Sequence, residues 1–357
     1  MTCANPRDLI RRWMIGLLGS GLFVWSVGPW LVNSILIRRY DPALNTITLR
    51  EGDLIRWRSE GWGSTRIGPH GLPGWIPSGA EDRIVIWGDS QVEGFCVDDA
   101  DKIHQQVISL TQEDYDHPID CIPFGRSGSD AADWNRMIAR VDRLWQPIMH
   151  VWIVTELSDL LALEEKHDHP DAIDRWQTES PAAVRWAKRF RGEAIFQAAR
   201  NLLLDPNTGG LRSLRVSLGP APQSEPDLKL SSDPSDPRRR LELVGLRLSA
   251  THQSLSKRLA IVYAPAVPRI VGEVVSAHPD DDAWNALSEI LGAHAIPVVD
   301  LRRTFTDHWR IQREFPRGFH NGMPGFGHLN PVGNRLIAGA IRDHVFRSDE
   351  LPGVIAP

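Results

Sequence analysis

The sequence predicts an α/β fold built on a doubly wound parallel sheet of about five strands, preceded by one transmembrane helix. From residue 83 onward, short apolar segments rich in β-branched residues alternate with longer segments of helical pattern, as in successive βαβ units. Before residue 40, a long uncharged run has the length of a membrane span. The strand segments are apolar throughout, so we expect helices on both faces of the sheet.

The composition is that of a globular protein. The chain has 357 residues, of which 42% are hydrophobic and 24% charged, so a sizeable core is expected. Its formal net charge is −5 and it has no basic block, which argues against a nucleic-acid partner. Three cysteines are too few for a disulfide scaffold or a zinc cluster, and no spacing indicates a metal or cofactor. Cys96 and Cys121 form a disulfide if the chain is exported, or remain two half-buried free thiols.

The uncharged run covers residues 13–37, with paired arginines immediately before and after it. At about 1.5 Å per residue it can cross a bilayer core of about 30 Å. No small-residue cleavage site follows, so an uncleaved signal anchor in the lipid bilayer is expected. Because arginines flank both ends of the run, the charge distribution does not set its orientation. The short N-terminal segment before the run favours the main domain on the extracytoplasmic side, periplasmic or extracellular. A buried core helix is the alternative.

Residues 40–82 are dense in glycine, proline and tryptophan and read as a turn-rich lead-in. The principal domain is predicted at 83–350, after a tail and anchor at 1–39. An insertion at about 160–257 interrupts it, because that interval is too long for a crossover. Its stretch 217–238, crowded with proline, serine and aspartate, favours a loop. Strands are predicted at 83–87, 119–124, 150–155, 259–264 and 296–301, and helices at 131–144, 181–204, 240–255, 282–291 and 331–346.

The first predicted strand stops abruptly at Gly88-Asp89-Ser90. Ser90 is therefore expected at the carboxyl end of a central strand, where open α/β sheets bind ligands, with a helix N-terminus facing the same crevice. A serine placed there is a candidate nucleophile. The alternative is that Asp89 and Ser90 only cap the following helix.

A second motif lies near the C-terminus, in the segment from Gly327 to Ala338. Asn330 is a good N-cap and Pro331 suits the first helical position, so a helix begins there. His328 then lies in a loop after the last strand, at the same edge of the sheet as Ser90. This is the arrangement that a nucleophile and its general base require.

The two motifs together resemble the SGNH (GDSL-type) hydrolase superfamily, over residues 84–346. The resemblance implies a flavodoxin-like three-layer fold and esterase, deacetylase or acyltransferase chemistry. It also implies that Ser90 is the nucleophile and that its own amide donates to the oxyanion. By the same resemblance, Gly125 in Phe124-Gly125-Arg126 supplies a second donor.

Two departures from the family pattern concern the site. Where the third block usually reads Gly-x-Asn-Asp, this chain has Glu156-Leu157-Ser158-Asp159. Ser158 would replace the asparagine as oxyanion donor, with a shorter reach. Loss of one oxyanion donor costs about 100- to 1000-fold in rate.

The second departure is at Gly325, where the family commonly has an aspartate three residues before the histidine. A backbone carbonyl could orient His328 instead, leaving a Ser–His dyad. Another carboxylate could also substitute, and the candidates in order are Glu156, Asp300 and Asp307.

The predicted function is that of a membrane-anchored serine esterase that removes O-acyl groups, in the first instance O-acetyl groups, from envelope or exported polysaccharide. The predicted partners are an acylated carbohydrate or another ester as substrate, and the lipid bilayer through residues 13–37. One alternative is a catalytically degenerate envelope protein of the same fold that binds a glycan or a membrane partner. The other is an O-acetyltransferase.

Overall fold

The computed structural model describes residues 6–114, 119–165, 179–190, 192, 193, 195, 237–256, 258–265, 270, 271 and 274–345. Contacts divide the chain into two units: residues 1–35 with 181–236, and residues 36–180 with 237–357. The sequence immediately before the sheet and the sheet itself therefore belong to one unit. Most of the predicted loop 217–238, and residues 196–204 of the predicted helix 181–204, lie outside the described residues.

Regular elements occur throughout the described ranges. The helices are α1 (Pro6–Leu31), α2 (Ser90–Glu93), α3 (Ile103–Asp114), α4 (Ala131–Trp145), α5 (Leu157–Glu165), α6 (Ala182–Arg189), α7 (Pro237–Ser254), α8 (Asp281–Ala293), α9 (Arg302–Gln312) and α10 (Pro331–Val345). The strands are β1 (Arg38–Asp41), β2 (Thr46–Leu49), β3 (Leu54–Arg56), β4 (Ser64–Arg66), β5 (Arg83–Gly88), β6 (Asp120–Gly125), β7 (Met149–Val154), β8 (Leu259–Tyr263), β9 (Ile270–Val271), β10 (Val274–Val275) and β11 (Val298–Asp300).

The larger unit is organised around a five-stranded sheet of order β11-β8-β7-β5-β6. Every neighbouring pair in it is parallel. The first strand along the chain, β5, is thus flanked by the second and the third, and the later strands continue outward, which is the flavodoxin-like order. The predicted fold class is confirmed. β5 lies between β7 and the edge strand β6, where the chain order reverses.

Two apolar layers cover the sheet. In β5, Val85 and Trp87 point into one core, which also receives helices α4, α5, α7 and α8. Ile84 and Ile86 point into the other core, formed with α3, α9 and α10. This alternation follows from the two-residue period of a strand. The apolar run at 83–87 is therefore buried on both faces, as a parallel sheet requires.

The lead-in contains more regular structure than its turn-rich composition predicts. β1 pairs with β2 and β3 pairs with β4, each as an antiparallel hairpin. The second hairpin is bonded to the segment after α2, since Ser64 N donates to Asp98 Oδ1 at 2.8 Å and Arg66 N to Asp99 Oδ2 at 2.9 Å. The lead-in thereby reaches the edge of the sheet where Ser90 lies.

Helix α1 is the single described helix that is long and apolar enough, from Arg7 to Leu31, to cross a membrane. Only 6% of its most apolar window is buried, which does not fit a core helix. The predicted span 13–37 is wrong at its C-terminal end, because the helix stops at Leu31. Pro29 lies in the last turn, where it cannot donate to the preceding turn. Ile37 is fully buried, and its carbonyl accepts from Arg50 N at 2.8 Å.

The smaller unit joins α1 to part of the predicted insertion. Trp25 Nε1 donates to Phe190 O at 3.0 Å, and Lys188 Nζ donates to Ile35 O at 2.8 Å. The first bond connects α1 to the residue that follows α6. The second connects the last turn of α6 to Ile35, which follows α1 in the chain.

Cys96 and Cys121 are both buried and free. The disulfide alternative is therefore wrong, and the alternative of two free thiols describes the structure. Cys121 is wholly inside the core as part of β6, among the apolar side chains that face α3 and α10. Cys96 lies in the loop after α2, next to residues described below.

Candidate active site

Ser90 is positioned by a tight turn from strand to helix. β5 ends at Gly88, and Asp89 caps α2 by accepting from Gln91 N at 2.8 Å. A Cβ on Gly88 would lie 2.3 Å from Val92 Cγ2, so only glycine allows the helix to turn back so closely. Ser90 is consequently the first residue of α2, at the carboxyl end of β5. Asp89 thus caps the helix, and the half-buried Ser90 lies at the edge of the sheet where a nucleophile was expected.

His328 lies in the loop between α9 and α10, and Arg317 fixes this loop. The Arg317 guanidinium is buried and donates from Nη1 to Gly327 O at 3.0 Å. It also donates to the end of β8, from Nε to Pro265 O at 2.7 Å and from Nη2 to Ala264 O at 2.9 Å. Burial lowers the pKa of Arg317 to about 10, and the nearby charge of Asp89 opposes that shift. The histidine loop is thus joined to the sheet by one cation.

Ser90 and His328 are in hydrogen-bond contact. His328 Nε2 lies 3.0 Å from Ser90 Oγ, within the reach required of a nucleophile and its base. A second bond holds the two segments in register, because Leu329 N donates to Gln91 Oε1 at 2.7 Å. The two motifs at opposite ends of the sequence therefore meet side chain to side chain.

The other ring nitrogen of His328 contacts a carboxylate that the sequence did not single out. Nδ1 lies 2.7 Å from Glu60 Oε2, and the backbone N of His328 donates to Glu60 Oε1 at 3.1 Å. Glu60 thus receives two hydrogen bonds from one residue. This fixes the ring with Nδ1–H toward the acid and Nε2 as acceptor toward Ser90, the tautomer that a general base needs. The acid absent at Gly325 is supplied from the lead-in.

Glu60 is placed by the loop of the β3–β4 hairpin. Arg58 Nη1 bridges the carbonyls of Trp57, Trp62 and Gly63 at 2.8, 3.2 and 2.9 Å, which closes the loop around Glu60. Gly61 has φ +84°, and a Cβ there would lie 2.0 Å from the carbonyl oxygen of Cys96. Only glycine permits this approach.

The signal that could have directed attention to this loop is Gly61-Trp62-Gly63, which the sequence already marks as a turn. Nothing local to it identifies the neighbouring Glu60 as a partner of His328. That relationship exists only in the folded chain.

Gly125 lies where the motif resemblance puts it, at the end of β6 opposite Gly88 in the register. A Cβ on Gly125 would be 2.1 Å from Glu93 N. Its backbone therefore lies against α2, beside the turn that carries Ser90. Any larger residue would separate β6 from α2.

Glu156 and Ser158 are both exposed at the start of α5. Ser158 Oγ donates to Glu156 Oε2 across a long 3.4 Å. The carboxylate at His328 Nδ1 is that of Glu60 and not that of Glu156. The sequence ranked Glu156 first because it follows the neighbouring strand, but the lead-in hairpin reaches the histidine instead.

The two lower-ranked acids are engaged elsewhere. Asp300 accepts from Arg302 Nη2 at 2.6 Å and from Trp284 Nε1 at 3.0 Å. Asp307 pairs with Arg303 and Arg310 on α9 at 3.3 and 3.6 Å. Neither contacts His328 among the hydrogen bonds of the described residues.

The carboxyl group of Asp159 interacts with three other carboxylates, one of which caps α2. Burial, followed by the negative charges of Asp89, Glu156 and Asp130, raises the pKa of Asp159 to about 8. Burial also raises the pKa of Asp89, although the hydrogen bond from Gln91 N and the charges of Arg317 and His328 oppose that shift. Asp159 consequently keeps its proton to a higher pH than an ordinary aspartate.

One group in the described part of the chain could offer ligands to a metal ion: Glu60, Cys96 and His328 have donor atoms within 4.8 Å of one another. Burial and the charge of Glu60 raise the pKa of Cys96 to about 12, so the thiolate that binds metals is disfavoured. Glu60 and His328 already bond to each other. Cys96 thus acts as a neutral packing neighbour of the pair.

The chain is similar to several solved hydrolase structures. A lipase/acylhydrolase from Enterococcus faecalis is 14% identical, with 74% of this chain and 95% of that chain covered and a TM-score of 0.38. The acetyl xylan esterase AlAXEase is 16% identical, with coverages of 74% and 99% and a TM-score of 0.36. A variant of an acetyl xylan esterase from Geobacillus stearothermophilus is 12% identical, with coverages of 75% and 95% and a TM-score of 0.40.

These are the enzyme classes that the motif resemblance implies. No family model and no curated protein sequence matches the chain. TM-scores below 0.5 do not assign an activity to the chain.

Proposed function

We propose that the chain is a serine esterase that removes O-acyl groups through a covalent Ser90 intermediate. The observation that carries the proposal is the continuous series of contacts from Ser90 Oγ to His328 Nε2 at 3.0 Å and from His328 Nδ1 to Glu60 at 2.7 Å. A nucleophile, its base and an orienting acid are the three parts of a serine triad.

The geometry supports a two-step reaction. His328 Nε2 accepts the proton of Ser90 while Oγ attacks the ester carbonyl carbon, and Glu60 stabilises the imidazolium that forms. The amides of Ser90 and Gly125 are the proposed donors to the oxyanion. The hydroxyl of Ser158 is a third proposed donor, and to serve as one it must rotate away from Glu156 Oε2, to which it donates in the structure. The alcohol leaves with the proton from His328, and water then hydrolyses the acyl-enzyme by the same base.

The proposed substrate is an O-acetylated saccharide. Helix α1 supports a membrane anchor, and an anchored domain on the extracytoplasmic side would meet envelope or exported polysaccharide. The acetyl xylan esterases to which the chain is similar act on substrates of this kind by their names. An O-acetyltransferase would use the same acyl-enzyme and differ in the acceptor that resolves it. The contact of Glu60 with His328 weighs against the binding-protein alternative, because it offers an acid that Gly325 does not. The serine at position 158 is the feature that still favours that alternative.

Hydrolysis of a chromogenic acetyl ester by the full chain in detergent tests this proposal. Ser90→Ala and His328→Ala should each lose at least about 1000-fold in kcat/KM, as for triads generally. Ser254→Ala is the matched control, since that hydroxyl donates to Thr251 O within α7. Equal turnover by wild type and Ser90→Ala would overturn the serine mechanism. Acetyl transfer to an added sugar in place of hydrolysis would identify the transferase.

A further inference from the structure

Helix α6, with Phe190 directly after it, turns apolar side chains outward. Ala182, Ala183, Trp186 and Phe190 are all exposed, the last two at 65% and 51%. Residues three and four apart lie on one face of a helix, so these four form a single patch, here called the α6 apolar face. The two aromatic rings contact each other, with centroids 4.8 Å apart. This is the reverse of a helix that packs its apolar side on a core.

The opposite side of α6 is directed towards the chain. Val184, Ala187 and Lys188 are partly buried. Lys188 Nζ donates to Ile35 O at 2.8 Å, just beyond the end of α1. This bond fixes the rotation of α6 within the smaller unit, and the aromatic pair is left on the outside.

The end of α6 meets α1 close to the C-terminal end of α1. Trp25 Nε1 donates to Phe190 O at 3.0 Å. Trp25 precedes the end of α1 at Leu31 by about 9 Å of helix axis, at about 1.5 Å per residue. An amphipathic helix at a membrane surface buries its apolar side about 5–10 Å into the boundary between headgroups and acyl chains. Phe190 therefore lies at that depth in a bilayer that α1 spans.

The last turns of α1 are themselves apolar and exposed around this contact. Leu22, Phe23 and Trp30 are each more than half exposed. The α6 apolar face thus adjoins an apolar surface that the proposed membrane anchor presents to lipid. Exposed apolar patches mark protein or membrane contacts. The contact with α1 identifies the bilayer as the partner here.

Two side chains on this part of α6 suit the surface of a membrane. Tryptophan is enriched at membrane–water interfaces, because its ring is apolar and its Nε1 is polar. Arg189 is exposed at the edge of the α6 apolar face, three residues after Trp186. An arginine at such an edge lays its methylene stem on acyl chains while its guanidinium reaches the lipid phosphates.

We propose that the α6 apolar face lies in the lipid interface of the leaflet in which α1 ends. The smaller unit then contacts phospholipid in two ways, through a helix that spans the bilayer and through one in the plane of its surface. The inference rests on the membrane anchor proposed above and is independent of the esterase activity. It assigns a role to the start of the predicted insertion.

Spin labelling of the full chain in vesicles of phosphatidylcholine and phosphatidylglycerol tests the inference. All variants carry Cys3→Ser. Cys96 and Cys121 are buried, and the chain with Cys3→Ser alone measures their background labelling. Ala183→Cys then places a nitroxide on the α6 apolar face and leaves both aromatic side chains intact.

Two further labels provide references. Leu18→Cys lies on an exposed position in the middle of α1 and reports lipid. Arg303→Cys, at a side chain that is 92% exposed on α9, reports water. The measured quantity is the ratio of the collision rate of the label with oxygen, which concentrates in lipid, to that with a nickel chelate, which remains in water.

We expect the ratio at position 183 to be at least about threefold above that at position 303 and below that at position 18, as for an interfacial depth of about 5–10 Å. Adding Trp186→Glu should return the ratio at position 183 to that of the aqueous reference, because a carboxylate is costly among acyl chains. Trp186→Phe is the matched control and should keep the ratio high. Far-UV circular dichroism shows whether each variant is folded.

Three results would overturn the inference while position 18 reports lipid. The label at position 183 has the ratio of the aqueous reference, it collides poorly with both reagents because protein covers the face, or Trp186→Glu leaves its ratio unchanged. If position 18 also reports water, the anchor fails and the inference fails with it. Failure of the esterase proposal is measured separately, as turnover of a chromogenic acetyl ester.

Discussion

Glu60 and His328 are 268 residues apart in the sequence and lie 2.7 Å apart in the structure, carboxylate oxygen to Nδ1. The backbone amide of the same histidine donates to the other oxygen of Glu60 at 3.1 Å. The acid therefore positions both the ring and the main chain of the base. The contact adds a carboxylate to the Ser90–His328 pair from a segment that precedes the first strand of the sheet, as the proposed triad requires.

Gly327 makes the contact between Glu60 and His328 possible. Its φ is +84°, and a Cβ there would lie 2.3 Å from Glu60 Oε1. Gly327→Ala should push the carboxylate away and lower kcat/KM by about 100-fold, as misplacement by about 1 Å can. Gly339→Ala in α10 is the control, since nothing lies within 4 Å of its Cβ position. Steady-state kinetics on both variants checks this, and an active Gly327→Ala enzyme would contradict it.

Arg317 should stabilise the fold and the histidine loop together. Its three hydrogen bonds to the carbonyls of Gly327, Ala264 and Pro265 have no replacement in Arg317→Gln. We expect a loss of about 3 kcal/mol or more in the free energy of unfolding, because buried carbonyls are left unpaired. Urea denaturation measures the loss. kcat of the folded fraction should fall as well.

Arg302 provides the comparison for Arg317. It binds Asp300 and Asp281 at 2.6 and 2.9 Å and has no bond to the histidine loop among the described residues. Arg302→Gln should lower stability and leave kcat unchanged. If both substitutions reduce kcat equally, Arg317 has no particular role in placing His328.

Asp159 should make stability depend on pH. Its pKa is raised to about 8, whereas an unfolded aspartate titrates near about 4. The folded state then binds the proton more tightly, so stability falls as the pH rises from about 4 to about 8 and is level above that. Asp159→Asn removes this pH-dependent loss of stability. The substitution should therefore raise the free energy of unfolding at both pH values, and the increase at pH 8 should exceed the increase at pH 5 by at least about 1 kcal/mol. An equal gain at both pH values would contradict the shifted pKa.

The placement of Ser90 and His328 could be predicted because both carry strong local signals. An apolar strand that stops at Gly88-Asp89-Ser90 fixes one side chain at the sheet edge. The N-cap and proline of α10 fix the other in the loop ahead. Parallel strands share a carboxyl edge, so the two had to be near each other.

Glu60 could not be predicted, since its role depends on how closely two loops approach. The hairpin loop touches the Cys96 carbonyl only because residue 61 is glycine, and no periodicity encodes that contact. The same holds for the end of α1. Hydropathy continues to Ile37, but the helix ends at Leu31. Ile37 is buried in the larger unit instead of extending the helix.

The most direct test of the triad compares Glu60→Gln with Glu156→Gln in hydrolysis of a chromogenic acetyl ester. Glutamine preserves the shape of either side chain and removes its charge. The structure predicts that Glu60→Gln lowers kcat by about 1000- to 10,000-fold, as neutralising a triad acid does. Glu156→Gln should remain within about threefold of wild type, because the exposed carboxylate of Glu156 does not touch His328. Retention of activity in Glu60→Gln, or its loss in Glu156→Gln alone, would contradict the assignment of Glu60 as the orienting acid.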